Sequence, residues 1–264
     1  MAFEALATDY DGTIATDGRV DEATVAALSR ARDCGIRLVM VTGRELPSLF
    51  RTFDRLDLFD RVVAENGAVL YEPRSESIEV LGQAPPPALL DALTSRGVPI
   101  SVGHCIVATV EPFEHQVLGA IRDLALEWHV IFNKGSVMAL PAEVTKAKGL
   151  APALGALGVT YEETIAVGDA ENDQVFLRLC GLAVAVENAL TVVKDMADIV
   201  TAGARGTGVT ELIDRWLSGE LESVVPDPAK ESRTQSPGWV VNSRTLLINA
   251  SGFLPFGKLT PPSA

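Results

Sequence analysis

The stretch ALATDYDGT sets two carboxylates, Asp9 and Asp11, at the end of an apolar run, with a glycine and a threonine behind them. Such a pair cannot be buried bare, because taking an isolated carboxylate out of water is strongly unfavourable. A hard divalent cation such as Mg2+, which takes carboxylate oxygen and water as ligands, is the economical partner. Aspartate next to glycine is also ordinary turn chemistry, so this stretch alone leaves both readings open. A second acidic stretch, GDAEND, carries Asp169, Glu171 and Asp173 in alternation. It starts like an EF-hand calcium loop, but Gln174 stands where that loop needs glycine and Cys180 where it needs glutamate. Asp169 or Asn172 could instead cap a following helix. The presence of both acidic stretches favours metal binding. In VTGR, the Thr42 hydroxyl and the backbone N–H groups around Gly43 suit a phosphate oxygen, although a cap or turn role is equally open. Lys146 begins a helical stretch, where a cation opposes the helix dipole and so hints at another duty.

The elements that must position these groups can be read from the apolar pattern. FEALATD, IRLVMVTG, RVVAENG, TIAVGD, LAVAV and ADIVT read as short strands. They alternate with helical stretches: DEATVAALSRARDCG, LPSLFRTFDRL, KAKGLAPALGALG, ENDQVFLRLCG and GVTELIDRWL. This rhythm predicts an α/β domain with a mostly parallel, two-sided sheet. Asp9 and Asp11, Thr42 to Arg44, Glu65 and Asn66, and Asp169 to Asp173 each follow a strand. In a parallel sheet they therefore converge on one edge, where ligands bind. The middle of the chain breaks the rhythm with the order αββαββ, which predicts a small antiparallel sheet with helices on one face. The expected organisation is a first core segment at 1–78, an inserted unit at 79–143, a second core segment at 144–217, and a linker or flexible tail at 218–264. The tail is rich in Pro, Ser and charge, and WVVNSRTLLINASGF within it could form one or two strands.

Taken in order, DYDGT, VTGR, the lysine of VTKAKGL and GDAEND resemble the four motifs of the haloacid dehalogenase superfamily, over roughly residues 3 to 217. An insert between the second and third motifs is similar to the C2-capped, Cof-type branch. The resemblance implies a Rossmann-like core with a C2 cap. It also implies a Mg2+-dependent phosphomonoesterase acting on a small phosphorylated metabolite, such as a sugar phosphate or a phosphoglycolate-like compound. Asp9 would be the nucleophile that forms an aspartyl-phosphate, and Asp11 the acid and base. Asp9, Asp11 (through its main-chain carbonyl), Asp169 and Asp173 would serve the metal, with Asp173 alternatively orienting Lys146. Thr42 and Lys146 would hold phosphate and offset charge. Gly43, Arg44 and Asn172 would contact substrate, though a solvent-facing Arg44 is equally open. His104, Asn133 and Lys134 of the cap are candidate specificity residues. The same motifs would also serve a sugar phosphomutase or a phosphate-sensing regulatory module.

Composition narrows the partners. The chain has 264 residues, 47% hydrophobic and 22% charged, with a formal net charge of −13. Such a charge argues against a general nucleic-acid binder, which would carry a basic patch. It leaves a phosphorylated substrate open, because a metal and local cations can invert the field at one site. The 3 cysteines are widely spaced with no CxxC, which reads as reduced thiols. No basic and apolar leader or membrane-length apolar run is evident, so the expected setting is cytoplasmic; the expected form is a monomer or homodimer. GFLPFGKL near the C-terminus mimics the start of a P-loop, but Leu259 replaces the required hydroxyl residue and no helix has room to follow.

Overall fold

The computed structural model describes residues 3–133, 135–223 and 246–248. The first core segment runs β1 (Ala5–Thr8), α1 (Glu22–Asp33), β2 (Arg37–Val41), α2 (Leu46–Thr52), β3 (Arg61–Ala64), β4 (Val69–Glu72) and β5 (Ser77–Val80). The middle runs α3 (Pro87–Ser95), β6 (Ser101–Val102), β7 (Val107–Val110), α4 (Glu114–Asp123), β8 (Trp128–Asn133) and β9 (Ser136–Pro141). Then follow α5 (Lys146–Leu157), β10 (Thr164–Gly168), α6 (Gln174–Leu177), β11 (Leu182–Ala185), α7 (Thr191–Lys194), β12 (Ile199–Val200), α8 (Arg205–Leu217) and, separately, β13 (Leu246–Ile248).

The larger sheet has the order β12-β11-β10-β1-β2-β3-β4-β5. Strands β12 through β3 are parallel, and β4 and β5 are added antiparallel. Residues of β1, β10 and β11 are buried throughout, as expected where helices cover both faces of a parallel sheet. On one face α1 packs against α8. The Asp21 carboxylate caps α1 by accepting from the Thr24 amide, and Ala27, Leu28 and Ala31 form its buried stripe. The chain moves from β1 to β2 and β3 in one direction and from β10 to β11 and β12 in the other. The topological switch point therefore lies between β1 and β10, where the ends of the strands open a crevice. Because β5 pairs with β4 up to Val80, this sheet continues past the expected boundary at residue 78.

The middle segment has the expected αββαββ order and forms a second, antiparallel sheet, β13-β8-β9-β7-β6. Alternation along β9 explains how this sheet sits. Val137 and Ala139 join Leu89 and Leu93 of α3 and Val117 and Ile121 of α4 in a core of their own. Met138 and Leu140, which point the other way, belong with Ile106 to the main core beneath. The sheet therefore carries helices on one face and lies with its other face on the α/β body. Of the segment after 218, Leu246–Ile248 pairs with β8. The P-loop-like stretch and Lys134 lie outside the described residues.

Candidate active site

The switch-point crevice is built by residues that leave the sheet at the ends of β1 and β10. The Asp9 amide donates to the Val167 carbonyl at 3.0 Å, so the first aspartate leaves β1 while still tied to β10. Asp169 follows Gly168, the last residue of β10. One oxygen from each of Asp9, Asp169 and Asp173 lies within 4.8 Å of the others, and all three residues are buried. The Thr13 hydroxyl lies 3.2 Å from both an Asp9 oxygen and an Asp169 oxygen.

Lys146 enters from α5, and the reason is a close backbone contact. Gly67 sits at φ +108°, and a Cβ there would lie 2.0 Å from the Thr145 carbonyl oxygen. A Cβ on Gly149 would lie 2.5 Å from the Gly67 Cα. Two glycines thus let the first turn of α5 press onto the turn after β3, with the Thr145 hydroxyl capping the helix through the Lys148 amide. This seating carries Lys146, 2% exposed, into the crevice. Its Nζ donates to Asp9 Oδ1 and Asp173 Oδ1, both at 2.6 Å. The other Asp173 oxygen accepts from the Asp169 and Ala170 amides at 2.9 Å. Asp173 therefore both orients Lys146 and fixes the backbone that carries Asp169.

Burial pushes the Asp9 carboxyl up to about 7, reinforced by the charges of Asp173 and Asp169 and opposed by Lys146. Burial alone would pull the Lys146 ammonium down, but Asp173 and Asp9 outweigh it and hold Lys146 above its ordinary value. One ammonium thus serves several carboxylates, and it cannot by itself keep Asp9 ionised. The cluster is short of positive charge. A buried set of hard carboxylate oxygens with that deficit fits a divalent cation such as Mg2+.

Asp11 pairs with Arg44, whose Nε and one terminal nitrogen donate to its two oxygens at 2.6 and 2.7 Å. Hydrogen bonding to Asp11 holds the Arg44 guanidinium above its usual range, and its charge lies over the Tyr10 ring, 5.2 Å from the centroid. Thr42, fully buried one strand over, accepts from the Arg44 amide through its hydroxyl and from the Asn66 amide through its carbonyl. Asn172 donates to Asn66 at 2.9 Å, and the Asn66 amide group packs against Gly43 and reaches Met138 of the second sheet. His104 lies against Glu65, whereas Asn133 sits at the tip of the β8–β9 hairpin, paired with Ser136.

Reading the sequence missed three contributors. Thr13 bridges two acids from within a turn. Asn188 donates to the Gly12 carbonyl and accepts from the Arg205 amide, tying the loop after β1 to α8. Glu65, which the sequence marks only as following a strand, has its carboxylate fully buried against the second sheet's loop. No single-residue signal could have found Thr13 or Asn188. A glutamate directly after an apolar strand, beside asparagine and glycine, marks the position but not its partners.

A parallel sheet whose switch point holds buried acids and a lysine, with a small antiparallel sheet against the same body, is a Rossmann-like α/β core carrying a second unit. The family model for haloacid dehalogenase-like hydrolases matches residues 6–111 and 113–213, and the chain belongs to that family, as a Cof-type phosphatase. It is 32% identical over 223 residues to a phosphoglycolate phosphatase of Methanothermobacter thermautotrophicus, covering 81% of this chain and 98% of the relative. It is 29% identical over 224 residues to phosphoglycolate phosphatase 2 of Saccharolobus solfataricus, covering 82% and 93%. Among solved structures, a haloacid dehalogenase-like hydrolase from Bacteroides thetaiotaomicron superposes with a TM-score of 0.71 at 21% identity, covering 81% of this chain and 99% of that one. A subclass IIB sugar phosphatase superposes with a TM-score of 0.63 at 23% identity, covering 84% and 100%. These two structures speak to the fold. No helix among the described residues is long and apolar enough to cross a membrane.

Proposed function

We propose that this phosphatase hydrolyses a small phosphomonoester of the phosphoglycolate class through an aspartyl-phosphate on Asp9, with Mg2+ as cofactor. The observation that carries the reading is the charge-deficient cluster in which Lys146 joins Asp9 to Asp173 beside Asp169. The names of the relatives supply the substrate class. An Asp9 oxygen attacks phosphorus, and the P–O bond to the leaving group breaks. Asp11 gives its proton to the departing oxygen. It then takes a proton from the water that attacks the acyl phosphate, releasing inorganic phosphate and restoring Asp9. Asp9, Asp169 and the main-chain carbonyl of Asp11 would hold Mg2+, which when bound neutralises charge on the phosphoryl oxygens. Lys146 favours the ionised form of Asp9 and shares that neutralisation, while Asp173 orients it. Thr42, Gly43 and Asn172 offer donors to phosphate. A phosphoryl oxygen that takes a donor from Arg44 frees Asp11 for proton transfer. In this reading residues 79–143 form a substrate-selecting cap on a core of 1–78 and 144–217.

Hydrolysis of p-nitrophenyl phosphate and 2-phosphoglycolate with added Mg2+, followed as phosphate release, tests this reading. Wild-type protein turns over both, and Asp9→Asn abolishes turnover. An inactive wild type, or an active Asp9→Asn variant, refutes it.

A further inference from the structure

The main-chain N–H groups of His104, Cys105 and Ile106 point at one carboxylate, that of Glu65. Glu65 Oε1 accepts from the His104 amide at 2.9 Å, and Oε2 accepts from the amides of Cys105 at 2.8 Å and Ile106 at 3.2 Å. His104 Nδ1 lies 3.2 Å from Oε1. That distance lets Nδ1 donate to Oε1 in the tautomer that carries its proton there. The carboxylate is fully buried, and the opposing loop is shaped to it: a Cβ on Gly103 would lie 2.5 Å from Oε1.

Glu65 stands on the catalytic edge. Its own amide donates to the Arg44 carbonyl, and its neighbour Asn66 donates to the Thr42 carbonyl. The cap loop therefore rests one residue away from the backbone that carries Thr42 and Arg44. A second contact lies alongside, from the Ser101 hydroxyl of β6 to Glu45 at 2.9 Å. In the loop, Cys105 and Ile106 are buried and Gly103 has no side chain, so His104, 39% exposed, is the group it presents.

We propose that Glu65 is a positioning residue. It latches the cap loop Gly103–Ile106 onto the catalytic edge and sets His104 as the cap's contact with the part of the substrate beyond the phosphate. The role in substrate contact rests on the phosphatase reading above; the latch itself does not. Each amide left facing an N–H instead of a carboxylate oxygen becomes an unmatched buried donor, so Glu65→Gln acts on the loop while nearly preserving volume.

Two measurements on the full chain decide the proposal. Hydrogen exchange read by mass spectrometry reports the latch without any need for activity. In Glu65→Gln, protection of the peptide spanning Gly103–Ile106 falls roughly tenfold while β1 and β10 keep theirs. Gly103→Ala, which pushes on the same contact from the cap side, gives the same local loss and serves if Glu65→Gln fails to fold. Unchanged protection in the loop, or a uniform loss across the protein, overturns the latch. Kinetics report its purpose. Glu65→Gln and His104→Ala each raise KM for 2-phosphoglycolate roughly tenfold, with a smaller change in kcat, and lower the preference for it over p-nitrophenyl phosphate. Equal losses on both substrates, or a fall in kcat alone, overturn the positioning role. If wild type hydrolyses neither compound, the phosphatase reading fails, and the exchange result still decides whether Glu65 holds the loop.

Discussion

Asp9→Asn should stabilise the metal-free protein while destroying its activity. The Asp9 carboxyl is pushed up from 3.8 to about 7, so the folded site disfavours its charge. At roughly 1.4 kcal/mol per pKa unit this is about 4 kcal/mol. Asparagine resembles the protonated acid, keeping an oxygen for Lys146 and removing one charge from the crowd. Its N–H group faces the remaining carboxylates, so the net gain is set at about 2–4 kcal/mol, or roughly 5–10 °C in Tm for a chain of this size. The pH dependence follows from the direction of the shift. The folded pKa lies above the unfolded one, so the folded state holds the extra proton between about pH 4 and 7. The Asp9 contribution to wild-type stability falls as pH rises through that window, and its deficit is complete above pH 7. Scanning calorimetry in EDTA at pH 4 and pH 8 should show the two proteins close together at the lower pH and separated at the higher. Saturating Mg2+ should close the gap by neutralising the wild-type cluster. A metal-free Asp9→Asn protein no more stable than wild type at pH 8, or a gap of equal size at both pH values, refutes the reasoning.

Other perturbations probe the same architecture. Thr13→Val removes the hydroxyl shared by Asp9 and Asp169. Isothermal titration should show Mg2+ affinity weakened about tenfold, and an unchanged affinity would mean that this hydroxyl does not set the acids. Gly67→Ala drives a methyl into the Thr145 carbonyl at a positive φ, so urea unfolding should show a loss of more than about 3 kcal/mol. A loss under about 1 kcal/mol would show that α5 can lift without consequence. His129 is buried in the cap sheet, and that burial holds its imidazole below the ordinary value. The unfolded chain then takes up the proton first as pH falls below about 6.5, so stability in saturating Mg2+ should drop by about 1 kcal/mol per pH unit there. His129→Leu should flatten that slope, and an identical slope in the variant would assign the effect elsewhere.

The sequence disclosed the parallel strands and the acids at their ends because both signals are local. A strand buried on two faces must be apolar throughout, and a polar group directly after it has few structural reasons to be there. The αββαββ insert was visible for a similar reason, since its alternation changes from continuous to period two. The β4–β5 hairpin escaped notice. β5 reads Ser-Ile-Glu-Val and is exposed throughout, so no burial pattern marks it. The helix expected over ENDQVFLRLCG is confined to Gln174–Leu177, after a 3-10 turn at Glu171–Asp173 whose last carboxylate bonds the Asp169 and Ala170 amides and Lys146. Two readings of Arg44 were open, and the partner it has, Asp11, lies 33 residues earlier. The Glu65 contact was beyond reach for the same reason. Its three amides lie about forty residues downstream and leave no trace in side-chain pattern, since any residue but proline supplies an N–H.

The position of β1 has a consequence for how the polypeptide is made. This strand lies in the middle of the larger sheet, yet one of its two neighbours, β10, begins only at Thr164. On the ribosome, α3 through β9 emerge in one uninterrupted run, so the small unit can gather its helices and most of its strands while the larger sheet still has a gap. Until β10 arrives, β1 offers a bare, apolar, hydrogen-bonding edge, the kind of surface that strays into intermolecular pairing. Chaperone dependence and losses during expression should therefore concentrate in nascent chains that end before Gly168.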